Sequence, residues 1–455
     1  MAADTRFAWL GRLLLTALLA IGAVLLLQFI YAFALIEVGS HTDMAAARAH
    51  MLQAYDDGVI DQNEHPRWFF NRGGHTFTEC TAWNLTLDDG RSASDIAFLP
   101  RLQYDVDREA PCASGRDIAA AIPATAFWVY HRYWHGYRLY TWPMIQWFSL
   151  QTVRFVNAFL ILGAVVWFFR ELRATIGNPA TGIFFIVFVS LTDIWRIWVN
   201  TPQSIAMLII LAGAALFARV HRNRPDPRLA IVLAAVLGSL FNFFDFLSTP
   251  PMAPLLLAFI VLTTDEGRSA PADRRPSGLL LAGLVAASWF GGYALTWVAK
   301  WVLIVLISPD FHAAIVDIVN QIELRTYGQE NGGHIYFIPL LPTALMTLQS
   351  FISVGSIAVA VLFAALVLHL RRNWAAFDGR KFLRLSAPVL ITTLWFEILS
   401  NHTQTHSHFT YRSQSTSIAI LFTAAVMAIG TPTGIAAMLR ELWTASKGPR
   451  PRASG

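Results

Sequence analysis

The stretch LLLTALLAIGAVLLLQFIYAFALI, from Leu13 to Ile36, contains no charged residue and is long enough to cross a lipid bilayer. A membrane-spanning helix needs about 20 apolar residues. Arg6 and Arg12 precede this stretch, its apolar part is too long for a signal peptide, and no A-x-A cleavage site follows it. We therefore predict an uncleaved first transmembrane helix over residues 1–36, with its N-terminus in the cytoplasm.

The composition of the whole chain agrees with a membrane protein. Of its 455 residues, 55% are hydrophobic and 14% are charged, whereas soluble domains carry about 25% charged residues. So little charge could not cover so much apolar surface in water, which excludes a soluble enzyme, a disordered chain and a simple nucleic-acid-binding protein. The net charge of +5 comes from short basic stretches between apolar runs, so it indicates topology before it indicates a ligand.

Further apolar runs predict an all-α polytopic membrane protein with about ten transmembrane helices. The runs after the first lie at approximately 153–170, 180–194, 203–219, 229–247, 251–264, 278–298, 346–369, 383–399 and 415–437. The run 180–194 is short for a span, and a re-entrant or half-buried helix is the alternative. The connections that this count places inside are all basic, as the positive-inside rule requires.

One long polar segment, from Glu37 to about Trp147, follows the first helix. It contains 14 acidic residues, 9 arginines and no lysine, and the alternation of the spans places it outside the cytoplasm. It also carries Cys80 and Cys112, the only cysteines of the chain. In an oxidising compartment we expect them to form a disulfide, with two unrelated thiols as the alternative.

The predicted organisation has six parts. They are the first transmembrane helix (1–36), a large extracytoplasmic loop domain (37–150), a transmembrane helical body (151–298), an extracytoplasmic amphipathic loop (299–345), C-terminal transmembrane helices (346–440) and a cytoplasmic tail (441–455). The amphipathic loop contains the glycine-rich turn Tyr327-Gly-Gln-Glu-Asn-Gly-Gly333.

Carboxylates at the end of the first helix form the first candidate site. Glu37 lies where the helix leaves the membrane, and Asp43 follows shortly after. A partly desolvated carboxylate has a raised pKa and can act as a general base on a hydroxyl. The alternative is a solvated acid that marks the helix end.

The second candidate is Tyr130-His-Arg-Tyr-Trp-His-Gly-Tyr-Arg138, at the end of the loop domain. Arg132, His135 and Arg138 could bind a phosphate, and Tyr133 and Trp134 could hold a sugar or an isoprenoid tail. An interfacial belt of aromatic residues is the alternative.

The third candidate is Phe241-Asn-Phe-Phe-Asp-Phe-Leu-Ser-Thr-Pro-Pro251, near the end of an apolar helix. Asn242 and Asp245 are polar groups at membrane depth, where a carboxylate is costly and indicates function. The alternative is a helix-end acid that pairs with Arg196 or Lys300.

The fourth candidate is Ser400-Asn-His-Thr-Gln-Thr-His-Ser-His-Phe-Thr-Tyr-Arg412, between two predicted spans. Three histidines have spacings that could bind zinc, but no carboxylate or cysteine completes the ligand set. We therefore predict no metal site, and we expect Arg412 to bind an anion beside the membrane surface.

All four candidates fall on the predicted extracytoplasmic side. The predicted cytoplasmic connections contain neither a glycine-rich nucleotide loop nor a D-x-D pair. Because nucleotides are scarce outside the cell, the expected activated substrate is a group linked to a polyprenyl phosphate.

This arrangement resembles the GT-C superfamily of glycosyltransferases, which take a sugar from a polyprenyl phosphate. The stretches His131-Arg-Tyr-Trp-His-Gly-Tyr137, Asn242-Phe-Phe-Asp245 and Asn401-His402 with Phe409-Thr-Tyr-Arg412 look like a bacterial group related to the pilin arabinofuranosyltransferase. The D-x-D pair of some members does not follow helix one here, because Asp105-Val-Asp107 lies far into the loop. The resemblance covers the whole chain and implies inverting, metal-independent transfer without a cofactor.

The resemblance also implies roles for the candidate residues. Glu37 would be the base, with Asp43 in reserve. The donor phosphate would be bound by Arg132, His135, Arg138, His402 and Arg412, and the sugar or acceptor by Tyr133, Trp134, Asn242, Asp245 and His406.

Other function classes remain open from the sequence. A lipid-linked saccharide transporter usually shows inverted repeats, which we do not find, and an O-antigen-type polymerase would share the same outer site. For the transferase we expect a glycan or protein acceptor, membrane lipid and no nucleic acid as partners. The expected location is the bacterial inner membrane, with the site facing the periplasm.

The predicted topology can be tested with reporter fusions. Fusions after residue 100 and near residue 330 should report an extracytoplasmic location, and fusions near residues 224 and 376 a cytoplasmic one. A cytoplasmic signal at residue 100 would contradict the topology and move every candidate site to the opposite face.

Overall fold

Helices dominate the structure, as the apolar runs predict. The computed structural model describes residues 2–60, 77–106, 111–266, 277–308, 310–326, 328, 338–353 and 355–429, with side chains from residue 11 onward. Most of the glycine-rich turn, the predicted cytoplasmic tail and Asp107 of the D-x-D pair lie outside these residues.

The first helix and the loop domain contain the following elements. They are α1 (Ala2–Ser40), α2 (Met44–Asp56), α3 (Phe77–Thr86), α4 (Ala93–Phe98), β1 (Arg101–Tyr104), α5 (Pro111–Ala119), β2 (Ala126–Val129) and α6 (Arg138–Trp147). The strands pair antiparallel as a two-stranded ribbon, which the all-α prediction did not include. Cys80 and Cys112 form a disulfide that joins α3 to α5, as predicted.

The described residues of the rest of the chain form helices joined by short connections. The helices are α7 (Leu150–Ile176), α8 (Asn178–Thr192), α9 (Thr201–Asn223), α10 (Pro227–Phe244), α11 (Met252–Glu266), α12 (Gly278–Ile307), α13 (Phe311–Thr326), α14 (Leu341–Ser350), α15 (Ser356–Arg372), α16 (Gly379–Ser386), α17 (Val389–Ile398), α18 (Ser400–Thr405) and α19 (Ser407–Ile429), with short 3-10 helices at Ile194–Val199 and Trp374–Ala376.

Six of the described helices, α1, α7, α9, α10, α12 and α19, are long and apolar enough to cross a membrane. The protein is therefore a helical membrane protein, but the predicted count of about ten spans is not confirmed. The run 180–194 forms a helix of 15 residues, and the run 346–369 is divided between α14 and α15. Pro388 separates α16 from α17 in the run 383–399, because proline cannot continue a hydrogen-bonded helix.

Small polar residues fix where several long helices begin. The side chains of Ser149, Asn200 and Ser277 accept a hydrogen bond from the third residue along, at the starts of α7, α9 and α12. Such a cap satisfies a backbone N–H that has no partner within the helix. Each cap therefore ends a polar connection and starts an apolar helix at a defined residue.

The closest helix contact joins α10 to α12. A Cβ atom at Gly238 would overlap the carbonyl oxygen of Trp289, and a Cβ at Gly292 would overlap the carbonyl oxygen of Ala235. Each helix thus uses a glycine where the backbone of the other approaches, the small-residue packing that membrane helices favour.

A buried polar cluster adds α1 to this pair. The Gln28 amide donates to Thr296 Oγ1 at 3.2 Å and to Ser239 Oγ at 3.4 Å, and Thr296 Oγ1 donates to Ser239 Oγ at 2.7 Å. Tyr31 Oη shares a hydrogen bond with Ser239 at 3.2 Å. Hydrogen bonds between side chains within an apolar environment specify which helix faces meet.

Buried cations attach the loop domain to the helical body. Arg154 of α7 pairs with Glu79 of α3 at 2.8 Å, with both side chains largely buried. Lys300 of α12 is fully buried and donates to the Phe98 carbonyl at 3.0 Å. The loop domain is therefore fixed on the spans by groups that would be costly to leave unpaired.

The glycine contact can be tested by adding one methyl group. Gly292→Ala should destabilise the protein by about 1–3 kcal/mol because α10 and α12 must separate. Gly291→Ala is the matched control, since a Cβ there meets nothing within 4 Å and alanine favours a helix by about 1 kcal/mol. Thermal unfolding in detergent measures both variants, and equal stability would contradict the close approach.

Candidate active site

A cavity of about 520 Å³ lies where the loop domain meets the helical body. The start of α3, the segment around Tyr130–Tyr133, Phe246, α13 and the region of α18 line it. Of the predicted site residues, Arg132, Tyr133, His402 and His406 line this cavity. The fold therefore brings two distant candidate stretches to one cavity.

One face of α13 forms a wall of the cavity. Residues spaced by one helical turn on α13 contact three consecutive residues of the loop domain. The pairs are His131 with Asp317, Arg132 with Gln321, and Tyr133 with Arg325. The opposite face of α13 is apolar and exposed at Phe311, Ile315, Val316, Val319 and Ile322, as expected for a helix at a membrane surface.

One pair of this wall joins a histidine to an aspartate. His131 Nε2 lies 3.3 Å from Asp317 Oδ2. The hydrogen bond from His131 lowers the pKa of the Asp317 carboxyl below its usual range, and the nearby Arg132 charge adds to the shift. The Asp317 carboxylate thus faces His131. Asp317 does not line the cavity.

Two guanidinium groups meet at one neutral acceptor. Gln321 Oε1 accepts a hydrogen bond from Arg325 Nη1 at 2.7 Å and another from Arg132 Nη1. Among the described residues that line the cavity there is no carboxylate. Two positive charges that share one acceptor favour an anion that bridges them. Guanidinium groups match the oxygens of phosphate.

Aromatic rings surround these charges. The Arg132 guanidinium lies 4.2 Å from the centroid of the Tyr130 ring. Tyr133 stacks on Tyr130 with centroids 6.0 Å apart and contacts Phe246 edge to face, and its hydroxyl accepts from Arg325 at 2.8 Å. The cavity thus combines fixed positive charge with flat apolar surfaces, which suit a phosphate that carries an organic group.

Two imidazoles lie on the far side of the cavity. His402 and His406 have ring centroids 4.6 Å apart, and His406 stacks on Phe409. His402 is buried, and its Nε2 lies 2.9 Å from the Leu247 carbonyl oxygen. Burial, followed by the charges of His406 and Arg325, lowers the pKa of His402 well below its usual value. A neutral imidazole does not supply the positive charge that we predicted for phosphate binding.

Asp245 holds a turn beside the cavity. Its carboxylate accepts from the Ser248 backbone N–H at 3.0 and 3.1 Å and from the Ser248 hydroxyl. Neither Asn242 nor Asp245 lines the cavity, whereas the adjacent Phe246 does. Both side chains are buried, so direct contact with sugar or acceptor gains no support.

Three predicted ligands of the second stretch have structural contacts instead. Arg138 is fully buried and donates to the Ile96 and Ala97 carbonyls at 2.7 and 2.8 Å, so its donors complete the end of α4. The Trp134 indole donates to the Thr296 carbonyl at 2.9 Å. His135 bonds to the Tyr130 carbonyl, and burial and the neighbouring Arg138 lower its pKa well below the usual value. A neutral His135 away from the cavity cannot neutralise a phosphate as predicted.

Arg412 also lies away from the cavity. It is buried in α19, where Nε donates to the Thr192 carbonyl at 3.0 Å and Nη1 to Gln203 Oε1 at 3.1 Å. These contacts join α19 to α8 and α9. The prediction of an arginine at headgroup depth that meets a lipid phosphate therefore gains no support.

The predicted carboxylates lie on the surface of the protein. The Glu37 side chain is 55% exposed and lies 3.6 Å from His41, so other parts of the protein do not bury it. Asp43 is exposed and caps α2 by accepting from the Ala46 N–H at 3.0 Å. Neither lines the cavity, and nothing in the contacts of either favours the role of base.

Sequence reasoning missed Gln321 and Arg325. The signal was present, because Asp317, Gln321 and Arg325 recur every four residues in an amphipathic stretch and so share one helix face. What the pattern could not provide was the partner of that face.

Comparisons with protein-family models, with curated proteins and with solved structures found no match to this chain. Function is therefore inferred from the chemistry of the cavity.

The structural role of Arg138 can be tested separately from ligand binding. Arg138→Met should destabilise the protein by about 2 kcal/mol or more, because two buried carbonyls lose a charged donor. Arg116→Met is the control, since Arg116 pairs with Asp56 on the surface and such pairs contribute less than about 1 kcal/mol. Chemical unfolding in detergent measures the difference. A stable Arg138→Met protein that fails to bind phosphate would instead favour the original prediction.

Proposed function

We propose that the protein is an integral-membrane glycosyltransferase that moves a sugar from a polyprenyl-phosphate donor to a glycan or protein acceptor. The observation that carries the proposal is the pair of Arg132 and Arg325 on Gln321, which faces a cavity without a carboxylate among its described lining residues. Following the resemblance in the sequence, we propose a bacterial inner membrane with the cavity on the periplasmic side.

The guanidinium pair would stabilise the leaving group. As the bond between the anomeric carbon and the phosphate oxygen breaks, negative charge grows on the phosphate. Donors that are already in place for that charge lower the barrier of this step. Direct attack by the acceptor hydroxyl from the opposite side would invert the anomeric centre, and no metal is needed to neutralise the phosphate.

A second cavity supports a lipid-linked donor. It has a volume of about 80 Å³ and shares Arg132, Tyr133, Gln321 and Arg325 with the larger cavity. Its remaining lining includes Trp297 and Trp301 of α12, whose ring centroids are 5.1 Å apart, together with Leu399. A phosphate at the guanidinium pair would therefore place its apolar chain against aromatic rings and its sugar in the larger cavity.

Transfer by purified protein tests the proposal. Full-length protein in detergent is incubated with a small panel of polyprenyl-phosphate sugars, beginning with arabinofuranose, and labelled product is measured. Covalent transfer is the expected result. Movement of an intact lipid-linked saccharide across vesicle membranes without transfer would support a transporter, and successive addition of whole repeat units would support a polymerase.

The charge of the guanidinium pair provides a sharper test. Gln321→Glu keeps the size of the side chain but adds a negative charge between Arg132 and Arg325. We expect kcat/KM for the donor to fall by about 10–100-fold, since a charge-assisted hydrogen bond contributes about 1.5–3 kcal/mol. Gln53→Glu adds the same charge at an exposed position of α2 and should leave kcat/KM unchanged. A Gln321→Glu enzyme with wild-type kcat/KM would contradict phosphate binding at this pair.

A further inference from the structure

The described lining of the cavity contains few groups that can accept a proton near neutral pH. Arginine stays protonated, tyrosine and threonine hydroxyls ionise only at high pH, and amide oxygens are very weak bases. The imidazoles of His402 and His406 are the exceptions among the described lining residues. A proton acceptor for a bound hydroxyl is therefore to be sought at these rings.

The tautomer of His402 follows from its partner. A carbonyl oxygen can only accept a hydrogen bond, so the 2.9 Å contact between His402 Nε2 and the Leu247 oxygen requires a proton on Nε2. In the neutral ring the lone pair is then on Nδ1. No described residue donates a hydrogen bond to Nδ1, and His402 lines the cavity.

The carbonyl that orients His402 belongs to a strained residue. Leu247 has a φ of 63°, a left-handed conformation that a branched side chain rarely adopts. The Asp245 carboxylate holds the same turn through the N–H and hydroxyl of Ser248. Strain of this kind persists where the surroundings hold it and is concentrated at functional sites. The turn thus fixes the direction of the imidazole.

The groups packed around His402 favour its neutral form. Arg325 of α13 and His406 carry or acquire positive charge beside it. Two acids of the neighbouring segments have other partners: Asp245 bonds to Ser248, and Glu397 of α17 accepts from the Leu340 N–H and the Thr343 hydroxyl. Arg412 of α19 donates to the Thr192 carbonyl. No carboxylate among the described residues pairs with His402 to stabilise an imidazolium.

We infer that His402 is the general base of this protein and that Asp245 is a positioning residue that acts through the Leu247 carbonyl. The inference rests on the proposed glycosyl transfer. His402 Nδ1 takes the proton of the acceptor hydroxyl while the hydroxyl oxygen forms a bond to the anomeric carbon. The bond from that carbon to the phosphate oxygen breaks, and its electron pair stays on the lipid phosphate held by Arg132 and Arg325. The imidazolium then returns its proton to solvent.

The exposed carboxylate at Glu37 does not fit this step. Glu37 lies at the surface and outside the cavity lining. A general base must come within hydrogen-bond reach of the proton that it removes. His402, in contrast, lines the cavity that an acceptor would enter beside the guanidinium pair.

Substitution of His402 tests the inference in full-length protein. His402→Gln retains a donor for the Leu247 carbonyl but removes the basic nitrogen. We expect kcat to fall by about 10²–10⁴-fold, with donor KM close to that of the wild type. His50→Asn is the matched control, because His50 also bonds to a carbonyl, that of Ile145 at 2.7 Å, but lies on α2 away from the cavity. His402→Gln with wild-type kcat would overturn the inference, as would loss of transfer in Glu37→Gln alone.

The pH profile separates a base from a structural residue. A base with a lowered pKa stays neutral down to acidic pH, so wild-type kcat should fall only as the pH drops below about 6.5, the usual value for histidine. This acid limb should disappear in His402→Gln. In Asp245→Asn it should persist with a lower kcat, since that variant alters the position and not the identity of the base. If His402→Gln does not fold, His402→Ala with added imidazole replaces it, and restored transfer is expected.

A measurement without turnover distinguishes failure of the inference from failure of the proposed function. Nitrogen NMR of labelled histidine in the wild-type protein, with His402→Gln for assignment, reports the protonated nitrogen directly. We expect a neutral ring with its proton on Nε2 at pH 7. An imidazolium or a proton on Nδ1 would overturn the inference even if transfer occurs. A neutral Nε2–H ring without transfer from any donor in the panel would contradict the glycosyltransferase and, with it, the role of His402 in that reaction.

Discussion

The close contact between α10 and α12 is the constraint on which the rest of the site depends. Gly238 and Gly292 let each backbone approach the other without an intervening side chain, and the Gln28 cluster adds α1 to the same pair. From this contact α10 continues into the turn at Asp245, and α12 continues through Trp297 toward α13. The distance between the two walls of the cavity therefore depends on a helix contact within the spans.

Position at the cavity, and not residue type, separates the cations that we propose to bind phosphate from the structural ones. Arg138 and Lys300 direct their charge to the backbone carbonyls of three consecutive residues at the end of α4. Such donors are already committed, because a buried carbonyl without a partner is costly. Arg132 and Arg325 line the cavity and donate to the neutral acceptors of Gln321 and Tyr133, so in the function that we propose their charge faces an anion in the cavity.

The turn at Leu247 connects local strain with chemistry. A left-handed leucine costs free energy that only its surroundings can offset, and here the Asp245 carboxylate and the Ser248 donors provide that compensation. The same turn presents the carbonyl that orients His402. In the role that we propose, Asp245 would therefore act through the geometry of a neighbour rather than through its own charge.

Much of the architecture could be predicted from the sequence alone. Apolar runs indicated a helical membrane protein. The only two cysteines of the chain lie in one polar segment, and this predicted the disulfide that they form. Runs interrupted by proline or glycine were counted as spans because hydropathy measures composition and not helix continuity. Among the candidate residues, only the tertiary structure could separate Arg132 from Arg138, which lie six positions apart and have the same chemistry. The partner on α13 is distant in the chain, and the contact that decides whether a charge is free or committed exists only after the helices have packed.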